Sequence, residues 1–455
     1  MVYTCRAMYN DTITAISTPI GEGGIGIVRL SGPEAKSLAQ KVFPHPLHDR
    51  RLALGHIVDP VTCETIDEVL VSFMAAPHTY TREDVVEINC HGGPLPTQRI
   101  LELALRLGAR LANPGEFTLR AFLNGRIDLA QAESVIDVVR SKTASSLRLA
   151  LNGLDGKLSQ SVKSIRSELM NVLAYLTARI DFPDDELPRQ DINTPLMDAL
   201  KKIDELIASA DRGIVYRQGV RTAIVGRRNV GKSSLMNRLL GHDRAIVSQV
   251  PGTTRDTLEE VANIKGIPFV LIDTAGMASH KGVVESLGIS RTRGAIEAAD
   301  LVLLVLDVST PLRKTDEEII ALLSQHRDRE VIAIGNKCDK PCRASPDGLP
   351  WAIVCVSALT GDGLDRLEQS MADLILGGKV VASDAALVSN PRHKACLEQA
   401  KNNLEQALEG IAGQVPDDFV TIDLTAALNA LGEITGETVS DQLLENIFNN
   451  FCIGK

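Results

Sequence analysis

The chain has 455 residues, of which 48 are Lys or Arg and 58 are Asp or Glu, so its net charge at pH 7 is −10. This length predicts about three domains. The acidic balance argues against a protein built mainly as a polycation for nucleic acid, although it leaves room for a local RNA site. Apolar residues make up 44% of the chain, as in folded proteins, and the 3% of aromatic residues is too low for broad base-stacking platforms.

No segment approaches 18 consecutive apolar residues, and the first ten residues lack the basic start and apolar stretch of a signal peptide. We therefore expect a cytoplasmic protein that neither spans a membrane nor is secreted. The eight Cys residues are scattered without a CxxC pair, which is typical of reduced cytosolic thiols and offers no zinc-ligand framework.

The first 121 residues mix short apolar runs with turn signals and two helical patterns, which predicts an α+β domain. Strands are expected over 12–17, 24–30, 69–73 and 85–89, and helices over 32–42 and 97–107.

Between residues 122 and 218 the apolar residues follow a helical period. They recur every three or four positions from Leu147 to Leu176 without a Pro, which predicts one long helix. Pro183 would end it, and a second helix is expected over 195–210. We interpret the stripe as core packing in a helical bundle; a coiled-coil arm for a partner is the alternative.

Residues 219–376 alternate short apolar runs with helical patterns, which is typical of a doubly wound α/β domain with a mainly parallel sheet. Strands are expected over 222–225, 269–272, 301–306, 331–334 and 353–356. Helices are expected again over 392–411, 419–431 and 442–448. Residues 377–455 would therefore complete the helical domain, into which the α/β domain is inserted.

A glycine-rich loop, Gly226-Arg-Arg-Asn-Val-Gly-Lys-Ser233, follows an expected strand and opens an expected helix. This context predicts a phosphate-binding loop. Its backbone N–H groups would cradle the phosphates, Lys232 would reach the β and γ oxygens, and Ser233 would ligate Mg²⁺.

Three further motifs follow, each at the carboxyl end of an expected strand. Asp273-Thr-Ala-Gly276 would place a carboxylate near the metal, Asn336-Lys-Cys-Asp339 would bind both N–H donors of a guanine edge, and Ser357-Ala-Leu359 would back the base. Together the four motifs predict a GTPase domain. The expected GTP-binding residues are Asn229, Val230, Gly231, Lys232, Ser233, Ser234, Ser248, Gln249, Val250, Pro251, Gly252, Thr253, Thr254, Asp273, Thr274, Ala275, Gly276, Asn336, Lys337, Cys338, Asp339, Ser357, Ala358 and Leu359.

The loop 248–256, Ser-Gln-Val-Pro-Gly-Thr-Thr-Arg-Asp, falls where a G domain keeps its first switch. Thr254 is the candidate second hydroxyl on Mg²⁺. The alternative is a Pro-Gly surface turn.

The sequence does not identify the catalytic groups as directly as it identifies the nucleotide-binding motifs. Ras-like proteins orient the attacking water with a Gln, but the corresponding position here is Met277, and the nearest carboxylate is Glu285. An ordinary solvated Glu at a helix start is the alternative. Hydrolysis also needs a positive charge in the role of an arginine finger. The sequence offers two candidates for it: Arg255, or a monovalent ion held by the amide oxygen of Asn229.

Several segments outside the G motifs carry a family resemblance. They are Asp11-Thr-Ile, residues 23–32, residues 80–93, Pro114-Gly-Glu-Phe-Thr, residues 120–133, Gly252-Thr-Thr-Arg-Asp256 and Phe451-Cys-Ile-Gly-Lys455. On these residues the chain resembles the MnmE (TrmE) family of tRNA modification GTPases, from about residue 11 to the end.

The resemblance implies a multidomain fold that agrees with the pattern analysis. It has an α+β folate-binding N-terminal domain (1–121), an all-α domain formed from two segments (122–218 and 377–455), and an inserted Ras-like α/β P-loop GTPase domain (219–376). It also implies a homodimer through the N-terminal domains. The implied site for 5-formyl- or methylene-tetrahydrofolate uses Arg29, Glu87, Arg126 and Lys455.

For the G domain, the resemblance implies K⁺ held by Asn229, Ser248, Val250 and Thr253, with Mg²⁺ on Ser233 and Thr254. It assigns Glu285 to positioning the water. Two G domains would meet face to face during hydrolysis, so that K⁺ supplies the charge of the finger.

The implied activity is shared with an FAD-containing partner, MnmG (GidA), in a heterotetramer. Together they would install a carboxymethylaminomethyl-type group at C5 of the wobble uridine of certain tRNAs, with one carbon from folate and the amine from glycine or ammonium. Cys452 is the suspected participant in this chemistry; a free thiol on a tail is the alternative. Two other functions compete: a binding switch of the ribosome-assembly type, and a folate-dependent one-carbon enzyme merely gated by GTP.

Overall fold

The structure is a computed structural model that describes residues 10–182, 188, 190–242, 260–273, 293–326, 329–343, 349–377 and 388–455, with residues 242 and 273 described by their backbone alone. Among the helices of these residues, none is both long enough and apolar enough to cross a bilayer.

The N-terminal domain is a six-stranded sheet with its first two helices on one face and a short third helix on the other. Its elements are β1 (Ile13–Ile16), β2 (Gly23–Ser31), α1 (Ala35–Val42), β3 (Leu52–Val58), β4 (Thr65–Met74), β5 (Val85–Gly92), α2 (Pro94–Arg106), β6 (Arg110–Leu111) and α3 (Glu116–Leu123). The strand order is β3-β4-β5-β2-β1-β6, antiparallel except for the pair β1–β6.

Alternation along the strands decides which face is buried. Val69 and Val71 of β4 pack with α1 and α2 in one core, whereas Leu70 between them is 40% exposed on the other face. The predicted α+β fold is confirmed, although β3, β6 and α3 were not predicted.

The first helical segment contains α4 (Leu129–Arg140), α5 (Ala144–Leu154), α6 (Lys157–Asp181) and α7 (Asn193–Gln218). The prediction of one helix from Leu147 to Leu176 is therefore wrong. The chain turns at Gly156, whose φ of 80° is left-handed, and a Cβ there would lie 3.1 Å from Nε2 of Gln131. Leu154 and Leu158 lie on either side of the two-residue turn and are still four positions apart, so the apolar period alone could not reveal the break.

The G domain contains β7 (Val220–Val225), α8 (Lys232–His242), β8 (Glu260–Ile264), β9 (Ile267–Asp273), β10 (Leu301–Asp307), α9 (Lys314–Gln325), β11 (Glu330–Asn336), β12 (Ile353–Val356) and α10 (Leu364–Leu376). Its strand order is β12-β11-β10-β7-β9-β8, and only β8 is antiparallel to its neighbour in this described sheet. The predicted doubly wound fold is confirmed. The five predicted strands are present, and β8 is an edge strand that the sequence did not reveal.

The second helical segment contains α11 (Pro391–Ala412), α12 (Asp417–Thr435) and α13 (Asp441–Phe448). Leu169 of α6, Ile203 of α7, Leu397 of α11 and Leu424 of α12 belong to one buried core. Two segments of the sequence, one on either side of the G domain, therefore form one helical domain, as predicted. The bundle-core interpretation of the helical stripe holds for α6.

Candidate functional site

The loop between β7 and α8 has the backbone of a phosphate-binding loop. Gly226, Asn229 and Gly231 have φ values of 148°, 65° and 101°. A Cβ on Gly226 would lie 2.4 Å from the carbonyl oxygen of Val305, and one on Gly231 would lie 2.3 Å from Nδ2 of Asn336. Only glycine fits these two places, so the backbone can wrap closely around an anion at the start of α8.

Lys232 and Ser233 occupy the first turn of α8. The Nζ of Lys232 donates to the carbonyl oxygens of Gly226 and Arg227 at 2.8 and 2.9 Å, which holds the ammonium against the loop. Ser233 and Ser234 are exposed. This places a cation and a hydroxyl beside the loop, as a nucleotide triphosphate with Mg²⁺ requires.

Asn336 joins the phosphate loop to the predicted base-binding loop. This side chain is 2% exposed; its Nδ2 donates to the carbonyl oxygen of Val230 at 2.7 Å, and its Oδ1 accepts from the backbone N–H of Ala358 at 3.0 Å. Asp339 accepts from Ser357 Oγ at 2.6 Å. The structure thus brings the first, third and fourth motifs together.

Arg238 of α8 supports the base-binding loop from behind. Its guanidinium donates to the carbonyl oxygens of Ala358 and Leu359 at 3.1 and 2.6 Å. The side chain of Leu359 is 75% exposed at the rim.

Asp307 at the end of β10 is a functional neighbour that the sequence analysis missed. It accepts from Lys337 Nζ at 2.7 Å, and Lys337 also donates to the carbonyl oxygen of Asn229 at 2.9 Å. Arg227 of the phosphate loop lies 3.6 Å from the same carboxylate. Burial alone would raise the pKa of Asp307, but hydrogen bonds from Lys337 and Ser309 lower it below its usual value. The sequence feature that could have revealed Asp307 is its position: it is a carboxylate at the end of the buried strand β10.

Part of the predicted G site lies outside the described residues, so these assignments stay predictions. β9 ends at Asp273, whose backbone is in register with Ile224, just before the phosphate loop. The side chain of Asp273 is not described. The other predicted residues outside the description are Ser248, Gln249, Val250, Pro251, Gly252, Thr253, Thr254, Arg255, Thr274, Ala275, Gly276 and Glu285.

A second group of predicted residues meets on the N-terminal sheet. Arg29 of β2 and Glu87 of β5 are cross-strand neighbours, and their Nη2 and Oε1 atoms lie 2.7 Å apart. The Arg29 guanidinium lies 5.6 Å from the centre of the Phe117 ring, and its Nη1 donates to the carbonyl oxygen of Gly454 at 3.4 Å.

The C-terminal residues lie against this pair. The backbone N–H of Phe117 donates to the carbonyl oxygen of Lys455 at 3.2 Å, and that of Gly115 to the carbonyl oxygen of Cys452 at 3.3 Å. A Cβ on Gly454 would lie 2.4 Å from the carbonyl oxygen of Ile16, so the tail approaches β1 as closely as glycine permits. The side chain of Cys452 is exposed.

Arg126 belongs to the same region through Tyr80. Its guanidinium lies 4.7 Å from the centre of the Tyr80 ring, and the Tyr80 hydroxyl lies 2.9 Å from Oγ1 of Thr118, next to Phe117. The Arg29–Glu87 pair and the backbone of Lys455 therefore lie beside Phe117 of α3, and Arg126 reaches the neighbouring Thr118 through Tyr80.

Comparison with known proteins decides the family. One family model, described as the GTP-binding protein TrmE N-terminus, matches residues 12–126, and another, the MnmE helical domain, matches residues 129–452. A relative from Chloroflexus aurantiacus, "tRNA modification GTPase MnmE", is 52% identical over 98% of this chain and 100% of its own. The chain belongs to the MnmE family. Relatives of the same name from Roseiflexus sp. and Desulforamulus reducens are 49% and 44% identical, each over 98% of this chain and 100% of its own.

Membership identifies the chain as a tRNA modification GTPase, so the prediction of a GTP-hydrolysing enzyme is confirmed. A tRNA-modifying enzyme also interacts with tRNA. Era from Aquifex aeolicus, bound to GDP.AlF4-, is 30% identical over 40% of this chain and 66% of its own, but the TM-score of 0.27 is too low to carry an argument.

Proposed function

We propose that the chain is a potassium-dependent GTPase that acts in the cytoplasm with an FAD-containing MnmG (GidA) partner. Together they would form the carboxymethylaminomethyl group at C5 of the wobble uridine of certain tRNAs. One observation carries the proposal: a chain with a guanine-nucleotide site seats its Cys-Ile-Gly-Lys tail against the Arg29–Glu87 pair. The boundaries 1–121, 122–218, 219–376 and 377–455 are part of the proposal.

In the G site, Lys232 would neutralise the phosphates, and Ser233 and Thr254 would ligate Mg²⁺. Asp339 would accept from the N–H donors of guanine, with the backbone of Ser357–Leu359 behind the base. The short contact from Ser357 to Asp339 supports this assignment, because it fixes the carboxylate beside the loop.

Potassium would be held by the Asn229 amide together with Ser248, Val250 and Thr253. The support is local: Asn229 is exposed, and its left-handed backbone is held through its own carbonyl by Lys337. An amide oxygen and backbone carbonyls suit a hard monovalent cation. The ion would supply the positive charge of an arginine finger when two G domains meet, with Arg255 as the alternative source and Glu285 orienting the water.

The group around Arg29 would hold 5-formyl- or methylene-tetrahydrofolate. Arg126 and Lys455 offer cations for the carboxylates of folate, and Glu87 offers an acceptor for the N–H donors of its pterin ring. When bound, the folate would supply one carbon. Cys452, exposed on the tail, would be the candidate nucleophile.

A homodimer through the N-terminal domains is supported by an apolar sheet face. Leu52 and Leu54 of β3 are 65% and 63% exposed, and Leu70 of β4, which pairs with Leu54, is 40% exposed. Clustered apolar side chains on one sheet face are typical of an interface between proteins.

The test has a biochemical arm and a cellular arm. GTP turnover should rise steeply when K⁺ replaces Na⁺ at equal ionic strength, and cells lacking the protein should lose the wobble modification by nucleoside mass spectrometry. The proposal would be overturned if GTP turnover were the same in K⁺ and Na⁺ and if cells lacking the protein had normally modified wobble uridines. Glu285→Ala should retain GTP binding and slow hydrolysis by about a thousandfold.

A further inference from the structure

The hairpin β8–β9 connects the predicted first-switch loop 248–256 to the Asp273-Thr-Ala-Gly276 motif. β8 begins at Glu260, just after the predicted first-switch loop 248–256, and β9 ends at Asp273, the first residue of Asp-Thr-Ala-Gly. The strands are paired antiparallel from Glu260↔Leu271 to Ile264↔Ile267, with a turn at Lys265 and Gly266. This turn lies at the opposite end of the hairpin from the nucleotide motifs.

The turn of the hairpin is seated on the start of α5 in the helical domain. Thr143 Oγ1 donates to the carbonyl oxygen of Gly266 at 2.8 Å, and the Thr143 side chain is buried. The Thr143 hydroxyl oxygen also caps α5, because it accepts from the backbone N–H of Ser146 at 3.1 Å. A Cβ on Gly266 would lie 2.5 Å from Oγ of Ser145. Leu149 of α5 packs in the G-domain core beside Ile264.

Residues 140–146 link α4 to the start of α5, and their N-terminal end, Arg140, contacts the C-terminal tail. Arg140, the last residue of α4, donates from Nη2 to the carbonyl oxygen of Asn450 at 2.7 Å. Asn450 precedes Cys452 by two residues, and the Cys452 carbonyl is bound to Gly115 beside the Arg29 group. Three positions in sequence therefore separate a contact with the G domain from a contact with the tail.

We propose that residues 140–146, here called the junction, position the C-terminal tail according to the nucleotide state of the G domain, through the hairpin turn. Thr143 and Arg140 are then positioning residues for the tRNA modification reaction. The junction contacts both the hairpin turn and the tail, so a displacement of the turn would change the position of Cys452. The inference rests on the proposed function, because it needs the tail to take part in the chemistry. Coupling between two sites of a protein is commonly worth a factor of about 5 to 150.

The test measures alkylation of Cys452 by iodoacetamide in the full-length protein, resolved by peptide mass spectrometry. The rate in GDP with K⁺ is compared with the rate in GDP, aluminium fluoride and K⁺, which mimics the transition state. We expect the two rates to differ at least about fivefold in the unmodified protein. The exposed Cys63 of the N-terminal domain is an internal control whose rate should not change with nucleotide.

Two variants remove the contacts at either end of the junction. Thr143→Asp retains an acceptor for the Ser146 N–H but cannot donate to Gly266, whereas Thr143→Ser retains both contacts. We expect Thr143→Asp to keep GTP turnover within about twofold and to lose the nucleotide dependence of Cys452 alkylation, and Thr143→Ser to behave as the unmodified protein. Arg140→Met should also lose the dependence, whereas Arg148→Met, which alters an exposed arginine of α5, should not.

The outcomes separate this inference from the proposed function. Potassium-stimulated turnover with alkylation of Cys452 that ignores the nucleotide would overturn the inference alone. Retained dependence in both Thr143→Asp and Arg140→Met would overturn it as well. Because the Arg140 side chain is exposed, Arg140→Met decides the question if Thr143→Asp does not fold. Loss of potassium stimulation in the unmodified protein would instead contradict the proposed function.

Discussion

At the scale of single residues, the candidate guanine site depends on side chains that tie one loop to another. Asn336 holds the phosphate loop with its amide nitrogen and the base-binding loop with its oxygen. Lys337 ties Asn229 to Asp307 in the same way. Each of these described loops is therefore held by a side chain from another.

The role of Asp339 can be tested by base specificity. Asp339→Asn replaces a carboxylate acceptor by an amide that also donates, so affinity for GTP should fall at least about tenfold, whereas xanthosine triphosphate, which carries an oxygen in place of the guanine amino group, should bind better. Nucleotide titration measures both affinities. Unchanged preference for GTP would remove Asp339 from the base site.

The amide of Asn229 can be separated from its backbone by Asn229→Gly. Glycine adopts φ of 65° readily but lacks the amide oxygen, so the phosphate loop should remain intact while potassium loses a ligand. We expect GTP binding to persist and the stimulation of turnover by K⁺ over Na⁺ to fall at least about tenfold. A full potassium response in this variant would exclude the side chain as a ligand.

At the scale of elements, α4 contacts the start of α11, where the chain re-enters the helical domain after the G domain. Glu133 of α4 accepts from Asn390 at 2.8 Å, from Arg392 at 2.6 Å and from His393 at 2.7 Å. Burial alone would raise the pKa of Glu133, but the charge of Arg392 and the hydrogen bonds from His393 and Arg392 hold it well below its usual value. Burial lowers the pKa of His393 in spite of Glu133. The ion pair thus anchors α11 to α4.

These pKa directions make the helical domain sensitive to acid. A carboxyl whose pKa is lowered by folding stabilises the fold above its unfolded pKa and loses that contribution as the pH falls, and a histidine whose pKa is lowered also favours unfolding below about 6.5. Glu133→Gln should reduce the free energy of unfolding by about 3 to 5 kcal/mol at neutral pH and remove the part of the stability loss that sets in below about pH 4.5, the ordinary pKa of Glu. Urea unfolding followed by helical circular dichroism measures both.

Glu168→Gln is the matched control for this prediction. Glu168 pairs with Lys202 at 2.7 Å, but the side chains are 34% and 44% exposed, so the loss should stay below about 1 kcal/mol. Equal effects of the two substitutions would show that the buried network does not anchor the bundle.

Most helices and buried strands could be predicted because their patterns are local. The uninterrupted apolar runs of β10 and β11 reflect burial on both faces, and the spacing along α6 reflects one buried stripe. β8 and β6 are short edge strands whose pairing depends on distant partners, so their sequences carry little signal. The break at Gly156 was missed because the apolar period continues across it.

At the scale of the whole molecule, the insertion places the G domain between two halves of one helical core. The motifs of the nucleotide site could be predicted because each is a contiguous run at a strand end, whereas Asp307 and the junction act through contacts that no motif records. The folate site was predicted by resemblance alone and stays a prediction; the structure shows that the C-terminal tail returns to α3, which is distant in sequence.

We propose that potassium-dependent GTP hydrolysis drives the modification of tRNA. It is tested most directly by reconstituting the chain with its FAD-containing partner, unmodified tRNA, a tetrahydrofolate donor and glycine or ammonium, and by measuring the wobble nucleoside by mass spectrometry. We predict that the carboxymethylaminomethyl group forms with GTP in K⁺ and not in Na⁺, nor with a non-hydrolysable GTP analogue. Equal yields under these three conditions would contradict the account.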